Sequence, residues 1–564
     1  MVGKLTSVKK HTIVNEEFKM GLVNRVKLVT VTVLLCLLVA CSNHNFYHQK
    51  TDTIPLSNAY GYGVLPDLSG FTQKQLRRHC EAQDRTTILG VTLLLHCTKT
   101  LLGHAQLSNE NRQFALKHYT NAIEQLFQHI DKPHNLVQVN YSGPRNIFLV
   151  SSMVPNEERL YPKVFGELGS AAVSWQNNKA DNLANIDPNY PLEGKFSSYS
   201  IYVSDITLQG LRLHVSLQAT PVSTHQIANF GENHYTFRYS PAAAYLGLLQ
   251  VADINNFSWL GFTNAEKAES RMGVFSIGEL STTKTPLIMI HGLNSDPLIW
   301  RYLTMALLND ETLSQQYQIW HIYYPSGPPP FYNAMRVRKH LNALVKRLGI
   351  DGKSAVFVGH SMGGIITKLL TTQPHYALWD ATFVSPADTL TSEEDADLRD
   401  VFLFSPTFDE NTAFFLDTPH RGSEVTNSVI GTIGSSLISL PSNFRNLFGR
   451  FIQKVGIDKL TAAMLPFLQN HGPDSVQVLR PNHPLMTTLA ELPVEGKSYS
   501  IIGSTSALSC TAQVDCVNIS DSVVDYSSAY LPDAQETIIV TSSHNSFKNP
   551  TAIAFIADTL RKKP

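Results

Sequence analysis

The stretch Ser354-Ala-Val-Phe-Val-Gly-His-Ser-Met-Gly-Gly364 holds the residue types needed to present a serine hydroxyl as a nucleophile. An apolar strand pattern runs into Gly359-x-Ser361-x-Gly363, and an apolar helix pattern follows from Ile365 to Leu370. A sharp strand-to-helix turn lifts the serine Oγ out of a sheet, and glycines two residues to either side leave no Cβ to collide there. The helix start would aim the Met362 N–H, with partial positive charge behind it, at a developing oxyanion. Gly-x-Ser-x-Gly alone is a weak pattern. The legible strand before it and helix behind it supply the context that makes it specific.

A serine nucleophile needs a base, an acid to orient the base, and a second oxyanion donor. In a strand–turn–helix hydrolase the chain order is serine, acid, histidine. Lys497–Ser504 reads as a strand, Asn518–Tyr530 follows it, and Glu536–His544 is a further strand ending in histidine. Asp521 and His544 would then lie at the carboxyl ends of strands, on the same sheet edge as Ser361. Asp525, four residues on, competes for the acid role. With 21 histidines in the chain, histidine alone carries no signal; its place after a strand and before the last helix singles out His544. His291 and His420 come too early for that order and read as structural neighbours of the site. The second oxyanion donor is expected from Thr285–Asp296, where Pro286 to Ile290 reads as a strand buried on both faces. That strand ends in His291-Gly292, and the glycine lets the Leu293 N–H turn toward the serine.

His291-Gly292, Gly359-His-Ser-Met-Gly-Gly364, Thr418-Pro-His-Arg-Gly-Ser423, Ser520-Asp-Ser-Val-Val524 and His544 together resemble the α/β-hydrolase superfamily. Within it they are most similar to the lipase and esterase branch of triacylglycerol lipases and GPI-inositol-deacylase-like proteins. The resemblance spans residues 281–564. It implies an α/β fold with a mostly parallel, helix-covered sheet, and ester cleavage by Ser361, His544 and Asp521 without metal or organic cofactor. The family's acid motif often has glycine after the aspartate and proline after the two valines; this chain has Ser522 and Asp525 there. The Thr418–Ser423 motif is expected to shape the site floor. Thioesterases and acyltransferases share the same triad. A surface lipoprotein using the fold as a non-catalytic binding scaffold is the alternative from another class.

The rest of this half fits that fold. Tyr317–Tyr324 and Ala413–Leu416 read as strands and Ala334–Leu348 as an amphipathic helix, the alternation expected of a parallel sheet. Residues 424–495 form an insertion in which Phe444, Leu447, Phe448, Phe451, Ile452 and Val455 repeat with helical period. That stripe predicts a helix packed either on the core or as a cap over an acyl pocket.

At the N-terminus, Lys4, Lys9, Lys10, Lys19, Arg25 and Lys27 precede an apolar run from Leu28 to Ala40, too short for a confident membrane span and suited to a signal-peptide core. It ends Leu38-Val-Ala-Cys41, which resembles a bacterial lipobox. Residues 1–40 would be a lipoprotein signal peptide, Cys41 the lipidated mature N-terminus, and Ser42 would favour the outer membrane over the inner. Of the six cysteines, Cys36 lies in that leader and Cys41 takes lipid. Cys80, Cys97, Cys510 and Cys516 remain, an even number in an exported chain. The simplest pairing is Cys80–Cys97 and Cys510–Cys516, the first loop contributing about 3 kcal/mol in the chain-entropy model. No Cys-x-x-Cys pair points to zinc.

The 564-residue chain carries a net charge of −1 with 16% charged residues, so it offers no basic field for nucleic acid. Residues 41–66 read as a polar tether. Residues 67–280 read as an accessory region, helical first, with Ala115, Tyr119, Ala122, Ile123, Leu126, Phe127 and Ile130 on one face, then β-rich from Asn146 to about Val251. Its role, whether substrate positioning, partner docking or bracing, is left open. The expected partners are an ester or lipid substrate and, through Cys41, a bacterial cell-envelope membrane.

Overall fold

The computed structural model describes residues 45–50, 55–58, 63–178, 186–251, 264–350, 353–387, 396–424, 438, 440–467, 473–506, 516 and 518–562. Its central sheet has seven strands: β1 (Gly273–Ile277), β2 (Thr285–Ile290), β3 (Tyr317–Tyr323), β4 (Ser354–His360), β5 (Glu410–Leu416), β6 (Gly496–Ser504) and β7 (Glu536–Thr541). Their order is β1-β3-β2-β4-β5-β6-β7. Only β1 is antiparallel to its neighbour; the other pairs are all parallel. Strands β2 to β5 are rich in Val, Ile and Phe with no polar alternation, because helices cover both faces of a parallel sheet. The register sets Ile290 beside Gly359 and His360 beside Leu416. The loops after β2, β4 and β5 therefore leave the sheet side by side.

On one face lie α2 (Pro330–Leu348) and α3 (Met362–Leu370), sharing an apolar cluster with α4 (Ser442–Val455) of the insertion. Helix α2 starts with Pro330 at its first position and stops at Gly349, whose φ of 62° supplies the left-handed residue that ends a helix. On the other face lie α1 (Arg301–Leu308) and α6 (Pro550–Arg561), with α5 (Pro484–Glu491) back on the insertion side. Val356, Val358 and Phe414 point into this second cluster, while Phe357 points into the first, as the two-residue period of a strand requires.

The N-terminal half is helical and then strand-rich. Helices Gln73–Glu81, Ile88–Leu102 and Asn109–Phe127 pack over a five-stranded sheet ordered Val137–Ser142, Arg212–Pro221, Lys195–Gln209, Ser170–Gln176, Ile147–Leu149. Alternate residues of Ser170–Gln176 serve two cores. Ala172 faces the helices, and Ala171 and Val173 join the hydrolase-side cluster through helix Pro241–Val251. Residues 46–564 consequently form one compact unit.

Several expectations change on this structure. The described part of the polar tether is packed: Tyr47–Gln49 pairs with Met153–Pro155, Phe46 and Leu56 are buried, and Ser57 bridges to Thr87. Phe46 supplies the apolar anchor, and the strand pairing satisfies the backbone groups that a free tether would leave to water. Strand β1 belongs to the hydrolase sheet but lies before residue 281, and Asn189 of the preceding region hydrogen-bonds Val274 and Ser276 on it. Cys80 and Cys97 are bonded. Cys516 is also in a disulfide, while Cys510, its expected partner, lies outside the described residues, as do the leader and Cys41. Among the described residues no helix is long and apolar enough to cross a membrane.

Lys368 on α3 is fully buried, with its Nζ donating to the Ala490 carbonyl at 3.0 Å. Burial, aided by the nearby Arg421 charge, pushes its pKa down to about 7. The unfolded chain binds this proton up to its ordinary value of 10.5, so the lysine destabilises the fold most below pH 7 and less as pH rises toward 10. Lys368→Met is expected to raise the thermal midpoint by a few °C at pH 6, by about 1–4 kcal/mol of relieved burial cost, with the gain shrinking by pH 10. Calorimetry across that range checks it.

Candidate active site

Ser361 sits between β4 and α3 with φ 55° and ψ −125°, a strained conformation for a residue with a side chain. Close packing forces this elbow. Its N–H donates to Leu416 O at 2.9 Å. A Cβ on Gly363 would come within 2.2 Å of Ile290 O and 2.3 Å of His291 O. Gly363→Ala is therefore expected to push β2 away from α3 and lower the yield of folded protein, which a soluble-expression and thermal-melt comparison with wild type measures.

The imidazole of His544 reaches the serine: Nε2 lies 2.9 Å from Ser361 Oγ. On its other side Nδ1 lies 2.7 Å from Asp521 Oδ2. An ionised carboxylate only accepts, so Nδ1 carries the hydrogen and Nε2 is left to accept the serine proton. Asp521 is 1% exposed, and its Oδ1 accepts the N–H groups of Val523 (2.8 Å) and Val524 (2.7 Å). These two bonds fix which oxygen faces the histidine. Burial opposes protonation of His544, but the bond to Asp521 and the Asp521 and Asp417 charges outweigh it, and its pKa lies above the ordinary 6.5.

Asp525 stands apart: it is exposed and occupies the N-cap position of the short helix Tyr526–Ala529, without a side-chain cap hydrogen bond. Ser522 has φ 77°. That left-handed turn explains why glycine suits the position in the resembling family, and Ser522 accepts strain there. The turn folds the acid loop back so that Asp521 N–H meets Val524 O.

Gly292 brings the loop after β2 against the nucleophile, since a Cβ there would lie 3.0 Å from Ser361 Cβ. The next residues are Leu293, half-buried, and Asn294, whose φ of 48° turns the loop and whose N–H donates to Ser326 Oγ at 3.0 Å. Met362 opens α3, and Ser361 makes no side-chain cap to it; Gly364 N–H donates to Ser361 O at 2.9 Å. Leu293, next to Gly292, and Met362, next to Ser361, thus flank the nucleophile in the chain.

The two early histidines are structural. His291 stacks on Tyr324 at 4.3 Å, its carbonyl accepts the Tyr324 hydroxyl, and burial pushes its pKa down to about 4. His420 is buried against Phe415, and burial holds its pKa well below the usual value. The motif around it braces the acid loop. The Arg421 guanidinium donates to the carbonyls of Ser527 and Tyr530, and Ser423 Oγ to that of Val523. Thr418 fills the space that a side chain at Gly364 would need.

Sequence reasoning missed a second buried carboxylate. Asp417, directly after β5, lies 3.7 Å from His360 Nε2, and His360 packs on the His544 ring at 4.9 Å. The signal was present, an aspartate at the end of a strand, by the same logic that placed Asp521. His360, Asp417 and His544 bring potential ligand atoms within 4.8 Å of one another. Both His544 nitrogens are engaged by Ser361 and Asp521, so the trio reads as the surroundings of the base and not as a metal centre.

Residues 287–494 match the alpha/beta hydrolase family. The fold around them is the α/β-hydrolase fold. Among solved structures, the mature form of the Bacillus licheniformis lipase BlEst2 shares 14% identity, covering 50% of this chain and 94% of its own at a TM-score of 0.29. The esterase RhEst1 from Rhodococcus sp. ECU1013 shares 13% identity, with 50% and 93% covered and a TM-score of 0.25. The phospholipase PlaB from Legionella pneumophila shares 12%, with 44% and 46% covered and a TM-score of 0.25. No curated protein matches the chain.

Proposed function

We propose that this chain is a serine hydrolase of carboxylic esters, acting on substrates with an apolar acyl chain. The observation that carries this reading is the continuous hydrogen-bonded line from Ser361 Oγ through His544 to Asp521. Ser361 Oγ attacks the acyl carbon as His544 Nε2 takes its proton. The tetrahedral oxyanion is met by the backbone N–H groups of Met362 and Leu293. When it collapses, the C–O bond to the alcohol breaks and His544 returns the proton to the leaving oxygen. Water then attacks the acyl-enzyme by the same steps in reverse and releases the acid. Asp521 holds the imidazole by its Nδ1 and stabilises the imidazolium.

The substrate class is supported by the insertion. Phe444, Leu447, Phe448 and Phe451 of α4, with Phe331, Tyr332 and Met464, line an almost wholly apolar cavity. Leu293, next to the Gly292 that abuts Ser361, packs against the apolar cluster to which these residues belong. A lipid-tethered chain with Cys41 as its modified N-terminus, facing the periplasm or cell surface from the outer membrane, would meet such substrates at their source.

A p-nitrophenyl ester series from acetate to palmitate tests this. The expected result is a kcat/KM optimum at medium or long chains, absent in Ser361→Ala. Phe448→Trp, which adds bulk to the cavity, is expected to lower the octanoate-to-acetate ratio of kcat/KM by about tenfold, the equivalent of about 1.4 kcal/mol. A wild type that turns over acetate alone would contradict the acyl-chain reading.

A further inference from the structure

Asp417 is placed at a cost that its own strand does not explain. It is 1% exposed, and its φ of 49° is left-handed, a conformation that costs a residue with a side chain of order 1 kcal/mol or more. Among the described residues no lysine or arginine pairs with its carboxylate. What it has instead are two backbone donors from distant segments. Its Oδ1 accepts Gly503 N–H, at the end of β6, at 2.8 Å. Its Oδ2 accepts Ser546 N–H, two residues past His544, at 3.0 Å. Gly503 separates the two aspartates, since a Cβ there would meet Asp417 Oδ1 at 3.0 Å and Asp521 Cβ at 3.1 Å. His360 fills the space beside Asp417, with its Nε2 3.7 Å from Oδ2 and its ring against those of His544 and Phe547.

We propose that Asp417 is a positioning residue for the catalytic base: it ties down the turn that carries His544 and sets a fixed negative charge beneath the imidazolium that forms during catalysis. This rests on the esterase reading of the site. The groups that face His544 are Asp521 from the loop after β6, Asp417 from the end of β5, and His360 with Ser361 from the end of β4. Of these, Asp521 and Asp417 bring negative charge, and burial keeps the His360 pKa below its ordinary value. Asp417 itself stays ionised: burial opposes this, but the neighbouring His360 and His544 rings and the Ser546 N–H hold its pKa below the usual carboxylate range. The charge therefore favours protonated His544, and catalysis needs His544 neutral in the free enzyme. Removing the charge must move the acidic limb of kcat/KM to lower pH.

The experiment is the pH profile of kcat/KM, and of labelling by a fluorophosphonate probe, for wild type, Asp417→Asn and Asp417→Glu. In Asp417→Asn the acidic limb is expected about half a pH unit or more below wild type, with plateau kcat about tenfold lower. In Asp417→Glu, which keeps the charge, the limb is expected to stay with wild type while kcat falls. Should Asp417→Asn not fold, Asp417→Ser replaces it as the neutral variant with the same expectation. A folded neutral variant whose limb has not moved overturns the proposal. So does a limb that moves equally in the glutamate variant, because charge is then not the cause. A wild type neither labelled nor active at any pH sinks the esterase reading itself, an outcome distinct from an active wild type with an unmoved limb.

Discussion

His544→Gln is expected to lower kcat for ester hydrolysis by about 10⁵- to 10⁶-fold while leaving KM within a few-fold. The glutamine amide can still reach toward Ser361, but it cannot accept and return a proton. The interaction lost belongs to the transition state, so it registers in kcat. His544 is partly exposed at 19% of its side chain and lies on a loop; the fold should survive, with far-UV circular dichroism unchanged. In the wild type the acidic limb of the profile should fall above pH 6.5, the ordinary imidazole value, because Asp521 and Asp417 together outweigh burial and raise the pKa of this group. Steady-state kinetics from pH 5 to 9 measures both effects. A variant retaining a tenth of wild-type turnover would remove His544 from the mechanism.

The second large effect concerns the acid. Asp521→Asn is expected to lower kcat by about 10⁴-fold through the wrong tautomer. Asp521 Oδ1 accepts two backbone N–H groups, from Val523 and Val524. An asparagine must place its carbonyl oxygen there, which turns its NH₂ toward His544 Nδ1. Nδ1 must then accept, Nε2 carries the hydrogen, and the imidazole can no longer take the Ser361 proton. Asp525→Asn should leave kcat within about twofold, because that residue is exposed and the His544 Nδ1 partner is Asp521. A reversal, with Asp525→Asn the damaging change, would mean that the acid loop takes another course in the working protein.

The sheet was largely legible from the sequence because its central strands are mostly apolar, as in Pro286–Ile290 and Ala355–Val358, with Gly292 and Gly359 marking the ends of those two. The nucleophile elbow, with its flanking strand and helix, was legible for the same local reason. Asp521 and His544 were placed by chain order and strand ends, and in the structure His544 lies within hydrogen-bond distance of Ser361 and Asp521 within hydrogen-bond distance of His544. The helical stripe of the insertion also reads directly: Phe444, Leu447, Phe451 and Val455 are its buried face. What was not legible depends on convergence. Asp417 sits at a strand end that the sequence shows, but its bonds run to Gly503 and Ser546, more than eighty residues away in sequence, and no local pattern joins those three. Strand β1 is only five residues long and joins the sheet antiparallel at its edge, so periodicity gave it no weight. Tyr47–Gln49 pairs with Met153–Pro155 in a stretch whose side chains look polar.

The most direct test of the central claim is labelling with a fluorophosphonate probe, with the modified peptide read by mass spectrometry, on wild type and Ser361→Ala. The account predicts stoichiometric modification of Ser361 in the wild type, abolished in the variant, with the labelling rate rising as His544 deprotonates. Folded protein that takes no label on Ser361 would contradict the account, because a serine hydrogen-bonded to a base held by a buried carboxylate should not be inert.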